Sequence, residues 1–255
     1  MKEEMEHNKI SWKRILIFFI IATAISNIFR FDVFEFKSEL EKLPTWIFIL
    51  TTFLLAGSGV IIGALVTISF LKKQRKTEIS LFGTSKSKSL IMAVIPIIIV
   101  TIVGVKNDFE IDAHLYGFIA ITGTLLYCIM EEYGWRGYLQ EELKSFKPWR
   151  KYLAIGFIWY LWHLTFLTNA TVGNNLFFLA MMILGSWGIG QVAESTKSII
   201  ASACFHLIIQ IMMFNGFIKN GIDGTEKLLI LGVSVVLLYV VVKKWEKENT
   251  VVTNL

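Results

Sequence analysis

The stretch CIMEEYGWRGYLQEEL, Cys128–Leu143, ends an apolar run that starts near Leu115 and carries two adjacent carboxylates, Glu131 and Glu132, and a guanidinium, Arg136. Ionisable side chains inside a membrane-length segment are costly, so such a cluster is by default a functional hypothesis. Tyr133, Trp135, Tyr138 and Leu139 carry the apolar and interfacial character onward, and sustained charge returns only at Glu141, Glu142 and Lys144. This pattern predicts a helix that reaches the aqueous surface near Glu141, with Glu131 buried about 15 Å deep at a rise of about 1.5 Å per residue.

Outward from this stretch, apolar runs of membrane length recur at residues 15–29, 44–71, 90–105, 152–167, 175–193, 198–217 and 228–242. The chain is 55% hydrophobic and 18% charged, with a mean hydropathy of +0.60. Soluble domains carry about a quarter charged residues. The pattern predicts an all-α, polytopic transmembrane helical bundle of about eight spans. Alternating segments of about ten residues, the mark of a membrane barrel, are not found. Three regions follow: residues 1–114 with three spans, a core over residues 115–217, and residues 218–255 with the last span and a polar tail.

The net charge of +5 does not indicate nucleic-acid binding, because the basic residues sit in loops beside the spans. With eight spans both termini share one side, and 18 of the 25 Lys and Arg residues fall on that side against 6 on the other, Arg136 standing apart. The bias predicts a multi-pass protein of the cell membrane with both termini cytoplasmic. Cys128 and Cys204 lie in apolar segments, so small core hydrophobes are expected rather than a disulfide framework. Gly57, Gly59, Gly63, Gly134 and Gly137 suggest close helix approach. Pro96 is expected to kink the third span.

Two histidines complete the constellation. His163 is 11 residues into its span and His206 is 8 residues into its own, depths of about 17 and 12 Å. Three helices thus put Glu131, His163 and His206 at similar depths, as one shared polar site requires. Glu132 and Arg136 are spaced i, i+4 and can neutralise each other on one helix face. Glu131 is rotated about 100° from Glu132 and is free to face a cavity as a general base. Trp159 with His163, and His206 with Gln210, are also i, i+4 pairs.

The first motif, in the form Glu131-Glu132-x-Gly134-Trp135-Arg136-Gly137-Tyr138-Leu139, resembles that of the CAAX protease and bacteriocin-processing (CPBP) family of intramembrane peptidases, which includes the type II CAAX prenyl endopeptidases. The family's Phe-x-x-x-His reads Trp159-x-x-x-His163 here, and its His-x-x-x-Asn reads His206-x-x-x-Gln210. The resemblance covers roughly residues 115–215. It implies that Glu131 activates water, that His163 helps hold that water, and that His206 with Gln210 stabilises the oxyanion. Glu132 and Arg136 would keep the site in shape.

The expected function is an intramembrane endopeptidase acting on a membrane-associated, possibly lipidated, peptide or protein, with the lipid bilayer as its other partner. A non-catalytic membrane immunity or regulatory protein on the same fold is the alternative, and a proton-coupled transporter the third reading. No cofactor is expected. Zinc is the one possible exception, with Glu131, His163 and His206 as its ligands.

Overall fold

The computed structural model describes residues 10–71, 77–168 and 171–253, with side chains through residue 249. The basic residues Lys72, Lys73, Arg75 and Lys76, the polar start of the chain and Asn169 lie outside the described residues. The first elements are α1 (Trp12–Arg30), a short α2 (Phe36–Leu40), α3 (Thr45–Phe70), α4 (Lys86–Val103) and α5 (Ala113–Glu132), which continues as a π-helical segment over Tyr133–Gln140. Then come α6 (Pro148–Trp162), α7 (Leu164–Thr168), α8 (Val172–Thr196), and α9 (Ile199–Ile209), itself extended by a π-helical segment over Gln210–Phe214. α10 (Gly216–Lys219) and α11 (Gly224–Thr253) close the chain.

Six of these helices are long and apolar enough to cross a membrane by length and composition: α1, α3, α4, extended α5, α8 and α11. The chain is an all-α, multi-pass helical bundle. The other two expected spans are shorter helices, α6 with 15 residues and α9 with 11. Hydropathy counts apolar residues and is blind to the backbone. The run through 152–167 hides a break at His163, and the run through 198–217 hides a π-helical segment and a break at Asn215. Pro96 sits buried within α4, which continues on both sides of it.

The bundle is apolar outside and polar within. Leu16, Ile20, Ile98, Ile102, Leu184 and Val236 are exposed on helices long enough to meet lipid, whereas Glu131, Glu132 and Arg136 are each 0% exposed. Two apolar cores flank this polar interior. One gathers Val100, Tyr116, Cys128, Leu207 and Leu238 from α4, α5, α9 and α11. The other gathers Phe18, Trp135, Trp159, Trp162 and Met182 from α1, the first π-helical segment, α6 and α8. The decisive stretch runs from one core into the other, since Cys128 belongs to the first and Trp135 to the second. Both cysteines are buried and unbridged.

The apolar helix ends at Gln140, next to Glu141 as expected, but the side chains of Glu141 and Glu142 are turned into the protein. Both are buried. Glu142 accepts from the Ser11 amide at 3.2 Å and lies 3.7 Å from Arg14, while Glu141 accepts from the Glu78 amide at 3.3 Å. Partners on other segments replace water there, which a linear reading of charge cannot detect.

Close packing at Gly134 holds the π-helical segment against α3. A Cβ at Gly134 would lie 2.3 Å from Val60 Cγ1 and 3.0 Å from the Val60 carbonyl oxygen. Gly134→Ala is therefore expected to destabilise the protein by about 1–3 kcal/mol through overpacking. Thermal unfolding in detergent checks it, and an unchanged midpoint counts against the packing.

The start of α9 is braced by residues 79–84. Ile199 and Ile200 donate their amides to the carbonyls of Ser80 and Leu81 at 3.0 and 3.2 Å, and Ser80 donates to the Lys197 carbonyl at 2.9 Å. These bonds satisfy amides that a helix start leaves without partners. The Ser198 side chain caps the helix by accepting from the Ala201 amide. The helix that carries His206 and Gln210 thus starts from a fixed point.

Candidate functional site

Each of the two π-helical segments abuts site residues. The first begins directly after Glu132, and the second begins at Gln210. π-Helical turns inside α-helices occur frequently at functional sites. Periodicity at 3.6 residues gives no warning of them, and the sequence reading had none.

Glu132 is the hub of the buried charges. Its Oε2 accepts from Arg136 Nε at 2.8 Å, and its Oε1 lies 3.0 Å from His206 Nδ1. Arg136 also donates through Nη1 to the Ser186 carbonyl at 3.2 Å, and its guanidinium carbon is 5.6 Å from the Trp159 ring centroid. Three helices, α5, α8 and α9, are therefore tied through one carboxylate and one guanidinium. A buried pair needs such additional hydrogen bonds to offset its desolvation.

His206 bridges this hub to a cavity. A proton on Nδ1 suits the contact with Glu132; Nε2 then accepts from Gln210 Nε2, 3.2 Å away. Trp159 presents its ring edgewise to the imidazole at 5.0 Å between centroids. The cavity holds about 10 Å³, room for about one water. His163, His206, Gln210, Trp159, Met182 and Phe214 are among the residues that line it.

His163 reaches the cavity from a helix break. Its φ of −80° and ψ of 66° take it out of α6, so the apolar run turns at this residue before α7 begins. Its ring stacks on Phe166 at 4.5 Å and lies 4.5 Å from the Trp162 ring.

Glu131 is fully buried and does not line the cavity. Its Oε2 accepts from Trp135 Nε1 at 3.2 Å, while its Oε1 is buried without a hydrogen-bond partner among the described residues. Aromatic rings connect it to the cavity wall: Trp135 lies 6.1 Å from Trp159, and Tyr127 lies 6.5 Å from His206. The sequence reading turned Glu131 toward a cavity and gave Glu132 to Arg136. The structure adds His206 to Glu132 and surrounds Glu131 with aromatic rings.

The structure thus brings His163, His206 and Gln210 to one cavity and ties Arg136 to His206 through Glu132, while Glu131 stays outside the cavity, bonded to Trp135. Among the described residues, no three or more His, Cys, Asp or Glu side chains are grouped so as to hold a metal ion. Glu131, His163 and His206 accordingly do not form a zinc-ligand set in this arrangement. Sequence reasoning missed Tyr127, Trp135, Ser186 and Arg30. Tyr127 and Trp135 flank Glu131 at i−4 and i+4, and that spacing could have found them. Ser186 offers its backbone carbonyl, for which no sequence signal exists.

No curated protein matches the chain. A family model does, over residues 113–212: "Type II CAAX prenyl endopeptidase Rce1-like". The matched segment runs from α5 into the second π-helical segment and includes every site residue discussed above except Arg30 and Phe214. Over these residues the chain is similar to the Rce1-like family of CAAX-type membrane proteases, in keeping with the resemblance of the motifs around Glu131, His163 and His206.

Proposed function

We propose that the protein is an intramembrane endopeptidase that hydrolyses a membrane-associated peptide or protein, with water activated by Glu131. The observation that carries this reading is the convergence of His163, His206 and Gln210 on a single water-sized cavity, with Glu131 one aromatic layer away. A water held by His163 gives its proton to Glu131 and attacks the scissile carbonyl to give a tetrahedral oxyanion; collapse of that oxyanion breaks the C–N bond, and Glu131 returns the proton to the leaving amine. Gln210, whose amide carries a second N–H beyond the one directed at His206, donates to that oxyanion, with His206 beside it. Glu132 and Arg136 set the imidazole's orientation rather than react.

No step in this mechanism uses a metal. Zinc held by Glu131, His163 and His206 would demand ligand distances near 2.0–2.2 Å. Metal analysis of active protein separates the two arrangements. The charge bias of the loops supports a cell-membrane location with both termini cytoplasmic.

The test is cleavage of quenched, membrane-anchored peptides, with and without a lipid modification, by protein reconstituted in nanodiscs. Wild type is expected to cleave members of this panel, and His206→Ala to lose about 10²–10³ in kcat. Equal rates for His206→Ala and wild type would overturn the assignment. Gln210, which fills the position of the family's Asn and engages His206 Nε2, favours one second reading, a non-catalytic membrane partner on the same fold. Full complementation of a deletion strain by both Glu131→Gln and His206→Ala would support that reading instead.

A further inference from the structure

α1 lies outside the segment matched by the family model, yet it reaches the residue beside His163 three times. α6 ends at Trp162 because His163 leaves the helical conformation. The chain restarts with Phe166 donating to the His163 carbonyl at 2.9 Å, so the Trp162 carbonyl is left without that helical donor. An unsatisfied carbonyl away from water costs several kcal/mol in hydrocarbon. Here Asn27 Nδ2 and Arg30 Nη1 donate to it, at 3.3 and 3.4 Å. The Arg30 guanidinium also lies 3.6 Å over the Trp162 ring, and Trp162 Nε1 donates to the Ala22 carbonyl at 3.2 Å.

Arg30 does more than fill a carbonyl. Its guanidinium also covers the indole of Trp162, next to His163 in the chain. Among the described residues it forms no ion pair with a carboxylate.

We propose that Asn27 and Arg30 are positioning residues that hold the helix break at His163, so that the N-terminal helix is part of the functional site. The kinetic consequence rests on the peptidase reading; the structural one does not. The natural run of α6 would be to continue as a helix through 163–168, which would replace the His163 ψ of 66° by a helical value and move the residues after it, Phe166 among them, relative to the imidazole. The clamp on the Trp162 carbonyl rewards the broken form.

The experiment uses the full-length protein in nanodiscs, comparing Asn27→Ala, Arg30→Met and Arg30→Lys with wild type. Amide exchange over residues 163–168 is expected to rise by about tenfold in Arg30→Met, the loss of one charge-assisted bond, while exchange over residues 115–130 stays unchanged. The His163 ring resonance, assigned by its loss in His163→Gln, is expected to shift in Arg30→Met and to return part of the way in Arg30→Lys. With a cleavable substrate, kcat is expected to fall about tenfold or more with KM within about threefold, because a displaced base partner costs chemistry rather than binding. Unchanged exchange and an unchanged His163 resonance in both Asn27→Ala and Arg30→Met would overturn the proposal. If no substrate is cleaved by wild type, the peptidase reading fails while exchange and resonance still decide the clamp.

Discussion

Glu131→Gln is expected to lower kcat by about 10²–10⁴, the span that a positioned general base supplies, with the thermal midpoint little changed. The amide is isosteric with the carboxylate, and its oxygen can still accept from Trp135 Nε1, as Glu131 Oε2 does here. What it cannot do is take a proton from water. The neighbouring substitution, Glu132→Gln, provides the contrast. It strips the buried Arg136 guanidinium of its counter-charge and His206 of its anchor, so it is expected to lower stability as well as activity. Two adjacent, chemically identical replacements should therefore differ in kind, one silent in unfolding and the other not. Rates for Glu131→Gln equal to wild type would remove the base from the mechanism. A matching drop in the thermal midpoint at both positions would instead mean that Glu131 is a structural carboxylate.

Much of this site was legible in the sequence because the signals are local or arithmetical. Glu132 with Arg136 and His206 with Gln210 are i, i+4 pairs, and both are in contact even though each runs into a π-helical segment. Counting residues inward from the span ends brought three helices to one level, and His163 and His206 do share a cavity. The unread part belongs to the third dimension. The break at His163 is invisible to hydropathy, since the residues on both sides are equally apolar. Glu141 and Glu142 are buried at the end of their helix because their partners come from Ser11, Arg14 and Glu78, more than 60 residues away. Arg30 directly follows the apolar run 15–29, where hydropathy alone places a loop. It is instead the last residue of α1, turned inward onto Trp162, and only the packing of α1 beside α6 gives it that direction.

Arg136→Met should be the most destabilising single change in the site. Arg136 is 0% exposed, bound to Glu132 at 2.8 Å and to the Ser186 carbonyl at 3.2 Å, so its removal strands a buried carboxylate and a buried carbonyl together. Breaking a buried pair from one side costs about 3–5 kcal/mol. For a chain of this size that loss lowers the thermal midpoint by on the order of 10 °C. Arg136→Lys keeps the charge but not the planar fork, and a single ammonium cannot serve Glu132 and Ser186 in the same geometry; it is expected to fall between the two. The double variant Glu132→Gln with Arg136→Met removes both charges and should recover part of the loss, because the penalty comes from the stranded carboxylate rather than from the missing attraction. If the double variant is as unstable as the sum of its parts, the two residues do not act as a pair. If it recovers stability but not cleavage, Glu132 is shown to serve the reaction through His206, since a neutral amide at position 132 no longer presents the carboxylate that orients the imidazole toward the cavity.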